Sequence, residues 1–195
     1  MQEFGCTGLV LRYGGGVISL LSPQEGRVEK RWYKPKHGSL HRGSLISYLK
    51  QNHRSYEKPL IQALELEVCA TQLAFHDIYL LHYLLEVCYY YIPVGSEARC
   101  SFYFLVELFS RFHAFPLPMQ KKSVLCKLFA LLGICPDDST VQLLANRLRQ
   151  MPIDNLVDGT LELNAEELMN RWLAWCMEMH PKGKFFKAMP LLLEK

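Results

Sequence analysis

The sequence predicts an α+β protein, with a small antiparallel β-barrel over residues 1–68 and an all-α helical region over 69–195. Three observations lead there. Up to Val68 the chain is a series of short apolar or alternating runs separated by glycine and proline turns, which is the patterning of strands and hairpins. From Cys69 onward the apolar residues recur three and four apart, the period of a buried helix face. The chain is 50% hydrophobic and 21% charged over 195 residues, enough to bury a full core.

The strands follow in order. Gly8–Tyr13 (GLVLRY) is the first, and Gly14, Gly15 and Gly16 turn it into Val17–Leu21 (VISLL). Pro23-Gln24-Glu25-Gly26 is the next turn, leading into Val28–Lys34 (VEKRWYK). A loop from Pro35 to Gly43 precedes Ser44–Leu49, and Leu60–Val68 alternates well enough for a fifth strand. Short strands joined by tight turns favour a small barrel. In the second part, Leu73, His76, Leu80, Tyr83, Leu84 and Val87 line one helix face that ends before Pro93. Ser101–Phe112 is the next helix and stops at Pro116 and Pro118. Lys121–Leu132 closes at Gly133. Ser139 and Thr140 cap a helix from Val141 to Gln150. Asn164 with Glu166 and Glu167 starts the last one, to Met179, with acidic residues where the helix dipole favours them.

Several function classes find little support. The seven cysteines are odd in number and contain no C-x-x-C pair, so they read as reduced core thiols rather than disulfides or zinc ligands. The opening MQEFGCTGLV lacks the pattern of a signal peptide, and the apolar run Ile78–Ile92 is too short to span a bilayer. A cytoplasmic protein with no membrane contact is the expectation. Cys69 with His76, and Cys88 with His82, lie close in sequence but on apolar helical stretches with no nucleophile motif. Gly14-Gly15-Gly16 lacks the Lys and Ser/Thr of a phosphate loop, and His76-Asp77 has no further metal ligands nearby. Neither an enzyme nor a cofactor is expected.

Charge points elsewhere. Between Arg27 and Lys58 there are nine basic residues against Glu29 and Glu57, a formal +7, while the whole chain is +3; the remainder is therefore −4. This basic stretch also carries Trp32, Tyr33, Tyr48 and Tyr56, the mixture that holds phosphates and stacks on bases. On alternation, Arg27, Arg31 and Tyr33 face outward from the third strand, Val28 and Trp32 face inward, and Lys30 and Lys34 reach toward the barrel ends. A solubilising face on edge strands explains the charge alone equally well. Lys182, Lys184 and Lys187, with Phe185 and Phe186, read as a solvated C-terminal extension.

The order of motifs resembles the RecO family of DNA repair proteins. The carriers are GLVLRY, then VISLLSPQEG, then the basic RVEKRWYKPKHGSL, followed by helices at HDIYLLHYLLEVCYYYIP, SFYFLVELFSRF and LCKLFALLGICPD. Two departures stand out. The four-cysteine zinc module found in many members after the Gly-x-x-Pro segment is absent past Pro136, and the family's Gly-Ala-Arg signature is replaced by WYKPKH. The resemblance implies an OB-fold barrel and a helical C-terminal domain. It implies a non-catalytic recombination mediator that binds single- and double-stranded DNA, anneals strands and helps load recombinase. The implied partners are RecR and the C-terminal tail of single-stranded-DNA-binding protein, and the implied place is the nucleoid. The DNA-binding candidates are then Arg27, Arg31, Tyr33, Lys34, Lys36 and Arg42, with Arg111, Lys121, Lys122 and Lys127 as a candidate rim for the partner's tail. The alternative is a protein–protein adaptor on the same scaffold that has lost DNA binding.

Overall fold

The glycine turns set the strand pairings. In the computed structural model, which describes residues 4–32, 40–51, 60–68, 71–110, 115, 117–158, 164–179 and 181, Gly15 and Gly16 both adopt positive φ. They form the two-residue loop between the paired residues Gly14 and Val17, a hairpin geometry that requires φ > 0 at both positions. This hairpin joins β1 (Phe4–Gly14) to β2 (Val17–Ser22). The second turn joins β2 to β3 (Gly26–Trp32), with the Ser22 hydroxyl accepting from the amides of Gln24 and Glu25 at 3.4 and 3.5 Å. β4 (Leu45–Gln51) and β5 (Leu60–Val68) follow.

The strand order is β1-β2-β3-β5-β4, and β4 pairs back with β1. Four of these pairings are antiparallel; β3 and β5 meet in parallel through Arg31 opposite Leu60 and Trp32 opposite Ile61. The alternation of side chains then gives the curled sheet two distinct faces. Val10, Ile18, Leu20, Val28, Ile46 and Tyr48 form the inner core. Gly8 makes room for it, because a Cβ there would sit 3.2 Å from both Leu20 and the Tyr48 ring. Burial pushes the Tyr48 phenol pKa up. Lys30 is also on this inner face, 4% exposed and paired with Glu25 at 3.2 Å. It does not escape to the end of the sheet as the alternation alone suggested; the carboxylate at the turn lets the ammonium stay inside.

The outer face carries Leu9, Leu11, Leu21 and Leu45, and these belong to the large core shared with the helices. The helices are α1 (Thr71–Tyr91), α2 (Arg99–Ser110), α3 (Pro118–Leu131), α4 (Ser139–Gln150), α5 (Ile153–Asp158) and α6 (Ala165–Met179). The chain is thus α+β, with strands first and helices after. α1 is broken at Asp77, whose φ of −153° and ψ of 80° are not helical. Its carboxylate accepts the Leu80 amide at 3.0 Å, so Asp77 acts as the N-cap of the segment that packs on the sheet. The expected face is present from there on, with Leu80, Tyr83, Leu84 and Val87 buried. Leu73 and His76 lie outside the described side chains. α3 is the central helix: Val124, Leu125, Cys126, Leu128, Phe129 and Ala130 are all fully buried.

Two helix ends serve each other. The Lys127 ammonium on α3 donates to the carbonyls of Leu148, Arg149 and Met151 at 2.8, 3.0 and 2.6 Å, closing the C-terminal end of α4. The Arg149 guanidinium on α4 donates to Ala130 near the end of α3 at 2.8 and 3.1 Å. Asp138 caps the start of α4 through the amides of Thr140 and Val141, and it is paired with Arg171 of α6. Its carboxyl is held below the usual carboxylate range, first by the Thr140 hydroxyl and then by the Val141 amide.

Candidate nucleic-acid interface

The predicted basic set is divided by the sheet register. Arg27 lies opposite Leu21, Leu21 opposite Leu9, and Leu9 opposite Leu45. The leucines of this row across four strands belong to the core shared with the helices, with α1 against β1 and α2 against β2. Arg27 is accordingly only 8% exposed, and its Nη1 donates to the Tyr89 carbonyl. The expectation that Arg27 faces outward toward DNA is therefore corrected. It faces the outer side of the sheet, but on the part covered by helix. The Arg27 carbonyl accepts the Gly95 amide at 2.8 Å, which ties β3 to the segment following α1.

Arg31, four residues further on β3, is exposed on the same outer face. It lies opposite Val17, beside the Gly15-Gly16 turn of the β1–β2 hairpin. Arg42 is exposed in the turn before β4. Tyr33, Lys34 and Lys36 lie outside the described residues, as does Arg111. The other three predicted helix lysines do not form an open rim. Lys121 is paired with Asp77 at 2.6 Å, Lys122 with Glu166 at 2.9 Å, and Lys127 holds the end of α4. Lys122 and Lys127 are 7% and 6% exposed, so their role is to join helices.

Sequence reasoning missed Arg12. A bulge between Val10 and Arg12 shifts the β1 register, and Arg12 emerges exposed beside the end of α1. Its guanidinium stacks on the Tyr89 ring at 5.4 Å and reaches the phenol oxygen at 3.5 Å. Arg27 lies 4.9 Å from the same ring, so both arginines use Tyr89 as a cation–π partner. Arg12 and Arg42 line a cleft of about 160 Å³ with His82, Glu86, Tyr89 and Tyr90. The signal available in the sequence was the Leu11-Arg12 pair at the end of the first strand and the tyrosine run at 89–91. Only topology brings them together.

The cleft presents two guanidiniums that can reach phosphate oxygens, and in Tyr90 an aromatic group beside them. Tyr90 meets Tyr89 edge to face at 5.1 Å. Elsewhere, burial pushes the Cys88, Cys126 and Cys176 thiol pKa values up, which keeps them protonated and poorly nucleophilic at neutral pH. Among the described residues, no group of three or more His, Cys, Asp or Glu side chains is placed to hold a metal ion. None of the described helices is long and apolar enough to cross a membrane. Compared with known proteins, the chain matches no protein-family model and no curated protein.

Proposed function

We propose that this chain is a RecO-like, non-catalytic DNA-binding protein of recombinational repair. The observation that carries the proposal is the set of exposed arginines on the outer side of the sheet, Arg12, Arg31 and Arg42, two of them lining a cleft with Tyr90. The strand order β1-β2-β3-β5-β4, with β4 back on β1, supports reading the sheet as an OB-fold barrel, a scaffold that binds single strands along a basic, aromatic surface. The guanidiniums neutralise phosphates of a single strand or duplex, and holding two strands close promotes annealing. RecR and the tail of single-stranded-DNA-binding protein enter the proposal through the family resemblance, as does a place at the nucleoid.

The test is the affinity for a single-stranded oligonucleotide at two salt concentrations. Binding is expected to weaken steeply with salt and to show little sequence preference. Arg12→Ala with Arg42→Ala is expected to lower the slope of log K against log salt by about 1.4, roughly 0.7 for each single-strand phosphate that the protein no longer neutralises. Absence of binding at low salt sinks the proposal and leaves the adaptor reading.

A further inference from the structure

We infer that the start of α2 is a binding site for a phosphomonoester, separate from the proposed DNA surface and independent of that reading. The helix begins without a side-chain cap. Ala98 occupies the capping position, and the first helical hydrogen bond runs from the Phe102 amide to the Ala98 carbonyl at 2.9 Å. The amides of Arg99, Cys100 and Ser101 come before that bond, so the helix itself gives them no acceptor. Alanine is a poor residue for this position, and a helix start carries partial positive charge.

A second observation is independent of the helix end. Ser101 is 1% exposed, and its hydroxyl has no hydrogen-bond partner among the described residues. A buried hydroxyl left without a partner is costly and calls for an explanation. Ser101 lines an open cavity of about 370 Å³ together with Ser96, Glu97, Arg99, Tyr91 and Leu132. An oxyanion seated there is offered backbone amides and one guanidinium, and the Ser101 hydroxyl joins them by turning about its Cα–Cβ bond from its buried position in the cavity wall, the donor set that suits a phosphate. Arg99 is now 3.6 Å from Glu97, and both side chains are mostly exposed. The guanidinium is therefore free to turn from that carboxylate to an incoming anion. Two sources share this chemistry, a small free phosphoryl compound and the 5′-phosphate of a nucleic-acid strand.

The experiment is a calorimetric titration of the full chain with inorganic phosphate, paired with thermal denaturation. Binding is expected in the unaltered protein. Ser101→Ala is expected to weaken it about tenfold, the effect of losing one charge-assisted hydrogen bond, while the ligand-free protein stays folded with an unchanged or higher Tm. Arg99→Ala is expected to weaken binding at least as much. Glu97→Gln is expected to tighten it, because it frees the guanidinium. A second titration compares 5′-phosphorylated with 5′-hydroxyl oligonucleotides of one sequence. A preference for the phosphorylated strand that Ser101→Ala abolishes assigns the site to strand ends. Equal affinity for the two strands, with inorganic phosphate still bound, assigns it to a free phosphoryl compound. No phosphate binding, or binding that neither Ser101→Ala nor Arg99→Ala changes, overturns the inference. Loss of DNA affinity in Arg12→Ala with Arg42→Ala, with phosphate binding intact, shows the two surfaces to be distinct; loss of both together overturns their separation.

Discussion

Arg27 and Arg31 are four residues apart on one strand and face the same way, yet one is a buried anchor and the other a surface cation. The alternation of β3 was legible because side chains on a strand have a period of two. Which part of the outer face a helix would cover was not, because that depends on the register of four strands and the approach of α1. Arg27→Ala is expected to destabilise the fold by about 2–3 kcal/mol, since it leaves the Tyr89 carbonyl without its charged donor. Denaturant unfolding measures this, and the salt slope of the proposed DNA binding should be the same in the folded variant as in the unaltered protein. The cysteines give a second prediction. In the unfolded chain the thiols ionise near 9.0, while buried Cys88, Cys126 and Cys176 keep their protons to higher pH. Above that value the unfolded state holds fewer protons, so stability falls as pH rises, by up to about 1.4 kcal/mol per pH unit for each thiol. Lys127 acts the other way. Burial lowers its pKa from 10.5, with Glu107 opposing, so stability rises with pH between its lowered value and 10.5. Three thiols outweigh one ammonium, and Tm is expected to drop above about pH 9 under reducing conditions. A Tm that stays level through that range would show the thiols not to be buried as described.

At the scale of elements, helix ends explain more than helix faces. Lys127 and Arg149 reach across the α3–α4 pair in opposite directions, each binding carbonyls at the other helix's C-terminal end. Lys127→Met keeps the aliphatic volume and removes three hydrogen bonds, and it is expected to cost about 3 kcal/mol by denaturant unfolding. Gly26→Ala is expected to cost at least as much, about 3 kcal/mol or more, because the new Cβ would lie 1.5 Å from the Ser96 carbonyl oxygen and φ is +66°. Here the sequence was informative in an uneven way. Gly26 was read as the last residue of the turn and is in fact the first of β3, paired with Ser22; its close approach to a segment 70 residues later in the chain left no local mark. The strands and most helices were legible from period and punctuation. α5 was not, because six residues after Pro152 are too few to display a helical period. The break at Asp77 was concealed for another reason: the apolar spacing on either side continues through it, and the capping role of the aspartate appears only once Leu80 is seen to donate to it.

For the whole molecule, the basic residues of the charge-rich stretch are not uniform in role. Of the basic residues between Arg27 and Lys58, Arg27 and Lys30 are buried, and Arg31 and Arg42 are exposed. Arg12, outside that stretch, joins Arg42 at the cleft. On the proposed function, a charge-reversal pair at Arg12 and Arg42 is therefore expected to impair DNA binding more than a pair at Lys122 and Lys127, which should instead lower Tm; gel-shift and denaturation measurements on the same variants separate the two effects. The leucine row across the sheet has one more consequence. A fragment ending at Val68 would leave Leu9, Leu11, Leu21 and Leu45 uncovered and would strip Arg27 of its carbonyl partner. Such a fragment presents water with an oily stripe and an orphaned cation, and it should self-associate on expression. The strand half is not a transplantable module, and any shortened chain or natural fusion that retains it must bring the helix with it.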